Sequence, residues 1–244
     1  MRKRIKPIVV YVVLALLGLA LIIANIHNTS KQQAHLQNVK SAIPYATTPK
    51  TTTSSTSSSS DEELILNPII DLSGWQLPQD IDYDVLSNHI SGAIVRVFGG
   101  SQISKDSNAA SSNGVDKSFK THIKELKKRD VPVAVYSYAQ GASVKEMKEE
   151  ARIFYKNASP YKPTYYWIDV EEETMPNMEE GVQAFLAELK RLGADKVGLY
   201  IGAYFMLEQE VSTRNFDAVW IPAYGTDSGY YETLPNTDID YDLH

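Results

Sequence analysis

Three textures of apolar and polar positions follow one another along the chain. Pro7 to Ile26, PIVVYVVLALLGLALIIANI, carries no charge and is about long enough to cross a bilayer as one helix. The basic segment MRKRIK precedes it, and positive residues stay on the cytoplasmic side, so residues 1–26 predict a cytoplasmic tail and signal-anchor with everything later outside. A cleaved signal peptide is the alternative, with small-residue sites near Ala24 or Ala42, although its apolar region is ordinarily shorter, about 7–15 residues. Residues 27–63 have no apolar period and close in TTPKTTTSSTSSSSDEE, a tract that cannot bury enough apolar area to offset its chain entropy. A flexible stalk is predicted there.

The third texture, residues 64–244, alternates short β-branched runs with amphipathic stretches. Strands are predicted at 68–73, 92–98, 131–137, 165–170, 196–201 and 217–222, with a further one at 239–243. Helices are predicted near 83–90, 117–129, 144–157, 178–192 and 203–210. Ser143 with Glu146 forms a capping-box pattern, and Gly193 falls where a helix would end. Strand–helix alternation implies an α/β fold with a parallel sheet and helices packed outside it. Five such repeats followed by strands without helices favour a barrel, with a doubly wound open sheet as the alternative.

Charge changes the picture of possible partners. The formal net charge is −6, but residues 1–60 hold seven Lys/Arg and no acid, which leaves 17 bases against 30 acids in 61–244. A polyphosphate would be repelled by that acidic body, so no nucleic-acid partner is expected. The absence of cysteine removes disulfides, thiolate metal sites and a cysteine nucleophile together. The five histidines lack metal-ligand spacing, and no G-x-S-x-G elbow or phosphate-binding glycine loop is present, so neither metal nor organic cofactor is expected.

In parallel barrels the active site lies at the carboxyl ends of the strands. Four strand ends here carry chemistry: Asp71 in IIDLSGWQ, Arg96 with Gly99 and Gly100 in VRVFGG, Tyr136-Ser137-Tyr138, and Asp169-Val170-Glu171 in YYWIDVEEE. Residues i and i+2 of a strand share a face, so Asp169 and Glu171 would project together with Cβ atoms about 6–7 Å apart. Two close carboxyls cannot both ionise freely; one pKa rises and that group serves as an acid near neutral pH, the pairing that glycoside hydrolysis needs. A solvated acidic strand end, continuing into Glu172 and Glu173, is the plainer reading of the same tripeptide. The aromatics, among them Trp75, Trp167, Tyr200, Trp220 and Tyr224, read individually as core residues and together as a carbohydrate groove.

DLSGWQ, IDYDVL, AIVRVFGG, D-x-x-F at Asp116 to Phe119, VAVYSYA, YYWIDVEEE, VGLYIG and AVWIPAYG occur in one order. This series, from about Pro68 to His244, resembles the glycoside hydrolase family 25 lysozymes, the N-acetylmuramidases of bacteria and phages. The resemblance implies a modified TIM-like barrel of five βα units followed by β strands, and cleavage of the β-1,4 bond from N-acetylmuramic acid to N-acetylglucosamine in peptidoglycan with retention. It implies Glu171 as general acid/base, Asp169 as the residue that orients the acetamido group or stabilises the charged intermediate, and Asp71 as a cleft carboxylate. Arg96, Asp116, Tyr136, Tyr138, Tyr200, Trp220 and Tyr224 match positions around the groove. The resemblance leaves open whether Asp169 or the substrate's own N-acetyl oxygen attacks, the family leaning to the latter.

Members resembling this chain continue after its last residues with a further strand bearing another cleft aspartate, so a fragment lacking the closing strand is expected. The expected partners are peptidoglycan glycan strands and, through the N-terminal helix, the membrane; a monomer is expected, with its catalytic domain on the wall side. The competing function is a catalytically inactive wall-binding module of the same fold. A chitinase-type D-x-x-D-x-D-x-E signature is disfavoured, because Thr164 and Trp167 stand where it needs aspartates.

Overall fold

The computed structural model describes residues 67–103, 105–226 and 233–244. The cytoplasmic tail, anchor and stalk expected at 1–63 lie outside the described residues. Among the described residues no helix is long and apolar enough to cross a membrane.

Six strands form one parallel sheet: β1 (Ile69–Leu72), β2 (Gly92–Phe98), β3 (Val133–Tyr138), β4 (Tyr166–Val170), β5 (Val197–Ile201) and β6 (Ala218–Trp220). The connections carry helices α1 (Tyr83–Ser87), α2 (Phe119–Lys127), α3 (Val144–Ala158), α4 (Met178–Leu192) and α5 (Ala203–Glu208). Strands β2, β4 and β5 are buried along nearly their whole length, as expected where both faces of a parallel sheet are covered, whereas the edge strand β1 is mostly exposed. The helices begin and end where local chemistry dictates. Ser143 Oγ accepts the Glu146 amide at 3.2 Å while Glu146 returns a carboxylate to Ala142 N, a reciprocal cap on α3. Gly193 stops α4 in the left-handed conformation at φ +106°.

The strands lie side by side in chain order, β1 to β6, with no reversal. A doubly wound sheet needs a point where the order turns back, so that alternative is excluded. The sheet curls into a half-barrel rather than a closed barrel. Among the described residues β1 pairs with β2 alone and β6 with β5, save for one parallel bridge from Trp220 to Leu243. That bridge is all that appears of the strand expected at 239–243. The Asp242 side chain takes the Val219 amide at 2.8 Å, the amides of Asp242 and Leu243 both give to Val219 O, and Leu243 O takes from Ile221 N.

The two faces of the sheet are packed differently. The convex face meets the helices in the main core, where Val95, Val135, Ile168 and Leu199 pack against Phe119, Phe154, Phe185 and Leu189. The concave face holds a small cluster of Ile94, Ala134, Trp167 and Ala218. Gly198 lies in register with Trp167, and a Cβ added there would come 2.4 Å from the indole Cε3. The absence of a side chain is therefore what lets the indole lie across the neighbouring strand. Gly198→Ala is expected to push Trp167 out of place and destabilise the fold by about 1–3 kcal/mol, the usual cost of overpacking. Urea unfolding checks this, and an unchanged midpoint would mean that the ring can shift without cost.

Candidate active site

Parallel register converts the two-residue period of each strand into rows across the concave face. Asp71 pairs with Ile94, Arg96 with Tyr136, Tyr136 with Trp167, Asp169 with Tyr200, and Tyr200 with Trp220. All of these share the inner face, and toward the carboxyl end the row changes from apolar to acidic and phenolic. A cavity of about 270 Å³ opens there. Asp71, Tyr136, Asp169 and Glu171 line it from β1, β3 and β4, and Tyr200, Trp220 and Tyr224 from β5, β6 and the segment after β6. The Trp220 ring meets Tyr200 edge-on at 4.7 Å and Trp167 edge-on at 5.9 Å, so the wall on that side is a packed aromatic corner. The Tyr200 hydroxyl lies 2.5 Å from that of Tyr224, which is 73% exposed.

Asp169 dominates the electrostatics. It is 6% exposed and within hydrogen-bonding reach of the Glu171 carboxyl, while its Oδ1 has no hydrogen-bond partner among the described residues. Burial first, then the adjacent Glu171 and the Asp71 carboxylate, hold the Asp169 pKa well above the usual carboxylate range; Arg96 pulls weakly the other way. Asp71 stands on the open β1 edge, yet partial desolvation in the cavity wall still pushes its carboxyl upward. Burial and nearby carboxylates likewise push the Tyr136 hydroxyl upward, and burial with the Tyr224 hydrogen bond pushes that of Tyr200 upward, so both remain neutral. Asp169 is the member of the D-x-E pair that the assembled sheet buries, and Glu171 is the exposed one.

Three of the groove residues expected from sequence do not line the cavity. Asp116 is 2% exposed and fully engaged: Oδ2 accepts from Gly74 N at 2.7 Å and Arg96 Nε at 3.0 Å, and Oδ1 from Ser118 N at 2.8 Å and Phe119 N at 3.1 Å. Its role in this structure is a clamp tying the turn after β1, the inner face of β2 and the first turn of α2; no lone pair is left for a ligand. Arg96 is turned into that clamp by its Nε, close enough to Tyr136 and Asp169 to act on them electrostatically. Tyr138 follows the inner-face period, and burial, then the neighbouring Glu172, push its hydroxyl pKa upward. Conversely, His244 lines the cavity with Pro222 and Ala223. No local signal marks a histidine twenty residues beyond Tyr224; the Leu243 bridge to Trp220 carries it there. Among the described residues no cluster of three or more His, Asp or Glu side chains is spaced to hold a metal ion.

A carboxyl pair with one buried and one exposed member, at the carboxyl end of a parallel half-barrel with aromatic walls, suits glycoside hydrolysis. The family model of the glycosyl hydrolases family 25 matches residues 70–239, and the chain belongs to that family. It is 56% identical to GHIP, a glycosyl hydrolase 25 of Streptococcus pneumoniae described as a virulence factor participating in host cell invasion. That similarity covers 73% of this chain and 78% of GHIP, with a TM-score of 0.71. The catalytic domain of endolysin ply40, from bacteriophage P40 of Listeria monocytogenes, is 25% identical over 71% of this chain and 81% of that one, with a TM-score of 0.59. The modular autolysin LytC of S. pneumoniae shares the fold at 20% identity and a TM-score of 0.52, over 67% of this chain and 39% of its own. No curated protein matches the chain. The protein is thus a glycoside hydrolase.

The raised pKa of Asp169 has a consequence for stability. The folded protein holds this proton to higher pH than the unfolded chain does, so the stabilising protonation is complete below the unfolded value near pH 4 and is lost as pH rises through the folded value. Asparagine does not titrate. Asp169→Asn is therefore expected to raise the melting temperature at pH 7–8 and to match the parent at about pH 4. Thermal melts across that range check the sign; a variant less stable than the parent at pH 8 would contradict it.

Proposed function

We propose that the protein is a membrane-tethered peptidoglycan muramidase that hydrolyses the β-1,4 bond from N-acetylmuramic acid to N-acetylglucosamine with retention. The observation that carries this reading is the Asp169–Glu171 pair, one member buried and one exposed, in the cavity that Asp71 shares. Family membership and the endolysin among its relatives support peptidoglycan as the substrate.

In this mechanism the pair holds one proton between its two carboxyls. Glu171, the exposed member, delivers it to the glycosidic oxygen as the C1–O bond breaks, which leaves both groups as carboxylates beside the developing positive charge. Two carboxyls within hydrogen-bonding reach of each other stand on the same side of a bound sugar. Retaining enzymes that use a carboxylate nucleophile place it and the acid about 5–5.5 Å apart, flanking the bond. The closeness of the pair therefore supports attack on C1 by the carbonyl oxygen of the sugar's own acetamido group. Asp169 Oδ1, an acceptor with no protein donor among the described residues, then takes the acetamido N–H as that nitrogen gains positive character. Water, deprotonated by Glu171, opens the cyclic intermediate at C1 from the face the leaving group vacated, which restores the acetamido group and the original configuration. Tyr136, kept neutral, offers a hydroxyl donor to the cavity, while the Tyr200 hydroxyl is paired with that of Tyr224. No metal or organic cofactor enters this scheme.

Residues 1–26 as anchor and 27–63 as stalk would hold the 64–244 domain, as a monomer, within reach of the cell's own wall. Such a tether suits remodelling of nearby glycan.

Full-length protein in detergent is expected to digest purified peptidoglycan to fragments whose new reducing ends, after borohydride reduction and mass spectrometry, are muramic acid. Glu171→Gln is expected to bind the wall without releasing fragments, a loss of at least a hundredfold. Reducing-end glucosamine would reassign the bond, and a folded parent that sediments with the wall but releases nothing would make the protein a binding module. Removal of one carboxylate also lowers the proton affinity of its neighbour. The residual activity of Asp169→Asn should therefore lose its alkaline limb at lower pH than the parent; a limb moved to higher pH would refute the shared proton.

A further inference from the structure

Trp75 is 63% exposed, although tryptophan carries a large apolar surface that usually packs. The turn that presents it is held from every side. Gln76 Oε1 accepts the Ser73 amide at 2.9 Å and its hydroxyl at 3.2 Å, and Gln76 N returns to Ser73 O at 3.1 Å. Trp75 N itself donates to Ser73 Oγ at 3.2 Å. Gly74 N donates to the buried Asp116 carboxylate, and a Cβ at Gly74 would stand 2.2 Å from the Ala109 carbonyl oxygen, so the turn is pressed onto that loop. Beneath it, His122 Nε2 donates to Ser73 O at 3.1 Å while Nδ1 accepts from the Tyr83 hydroxyl at 2.6 Å. Burial pushes the His122 pKa down and keeps that ring neutral in its bridging role. None of these bonds uses the indole. The network fixes the backbone of Ser73–Gln76 and leaves the ring in water.

Position supplies the second observation. Trp75 follows Asp71, whose carboxyl lines the cavity, by four residues, so the two Cα atoms are at most about 14 Å apart. It stands at the β1 edge of the sheet's carboxyl end. Tyr224, the other strongly exposed aromatic ring at this end, follows β6 at the opposite edge and lines the cavity. The carboxyl pair lies on β4, between them. A pyranose ring offers an apolar face of C–H groups, and an aromatic ring held rigidly in solvent stacks on it with little loss of conformational freedom.

We propose that Trp75 is a sugar-stacking platform that binds a glycan residue beyond the bond being cut, on the β1 side of the cavity. This rests on the muramidase reading, and it makes affinity depend on chain length: strands long enough to reach from the carboxyl pair to Trp75 bind more tightly than those that are not.

The test uses the full-length protein in detergent and soluble peptidoglycan oligosaccharides, stripped of peptide, from disaccharide to octasaccharide. Trp75→Ala should raise KM for the long oligosaccharides roughly tenfold, the scale of losing one aromatic anchor, with kcat and the melting temperature unchanged. Trp75→Phe should restore KM. In a Glu171→Gln background, long oligosaccharides should shift tryptophan emission to the blue, and the added Trp75→Phe substitution should abolish that shift while binding persists. A parent that cleaves the oligosaccharides, with a Trp75→Ala variant of equal KM at every length, would overturn the platform and leave the muramidase reading standing. A folded parent that neither binds nor cleaves them would overturn both.

Discussion

Asp169 is a carboxyl group taken almost wholly out of water and set beside two others. Charge in that position is costly unless a proton or a cation offsets it, and the neighbouring structure is arranged around that requirement. The nearest cation is Arg96, one row away on β2. Arg96 does not swing over to neutralise the pair, because its Nε is committed to Asp116. Asp116 is in turn fixed by the amides of Gly74, Ser118 and Phe119. A fixed cation at that position tempers the field without discharging it, and the Asp169 pKa stays raised by burial and by its acidic neighbours. The clamp thereby connects the turn after β1, the electrostatics of β2 and the start of α2 to one carboxyl on β4.

The apolar surroundings matter as much as the charges. Trp167 lies across the bare backbone of Gly198, one row below Asp169, and Trp220 and Tyr200 close the corner beside it. Rings packed edge to face contribute to the desolvation that raises Asp169, and a lower local dielectric strengthens polar interactions made there. A side chain at position 198 would alter the site without touching a catalytic group.

The division of labour between strands and loops is that of other parallel α/β enzymes. The strands hold Asp71, Tyr136, Asp169 and Tyr200 in rows whose spacing is set by backbone hydrogen bonds. The segments beyond them carry exposed groups: Glu171, Trp75 on its braced turn, and Tyr224. Of the first set Asp169 and Tyr200 are buried, while the second set is exposed where a long polymer could meet it from solvent.

Much of this was legible in the sequence because it is local. The β-branched runs, the Ser143–Glu146 cap and the Gly193 stop depend on near neighbours, and the elements fall where those signals put them. Asp169 and Glu171 on one face follow from the two-residue period alone. Tertiary structure decided the rest, because it concerns what a side chain meets from distant parts of the chain. Asp116 reads as a cleft residue in sequence and becomes a clamp because Gly74 and Arg96, 42 and 20 residues away, claim its second oxygen. Tyr138 has the right parity but is not among the residues that line the cavity. His244 enters the cavity only through the Leu243 bridge. Which member of the carboxyl pair is taken out of water was likewise undetermined by the tripeptide. Burial is a property of the assembled half-barrel, and it falls on Asp169 because that residue is inside the strand while Glu171 lies just past its end.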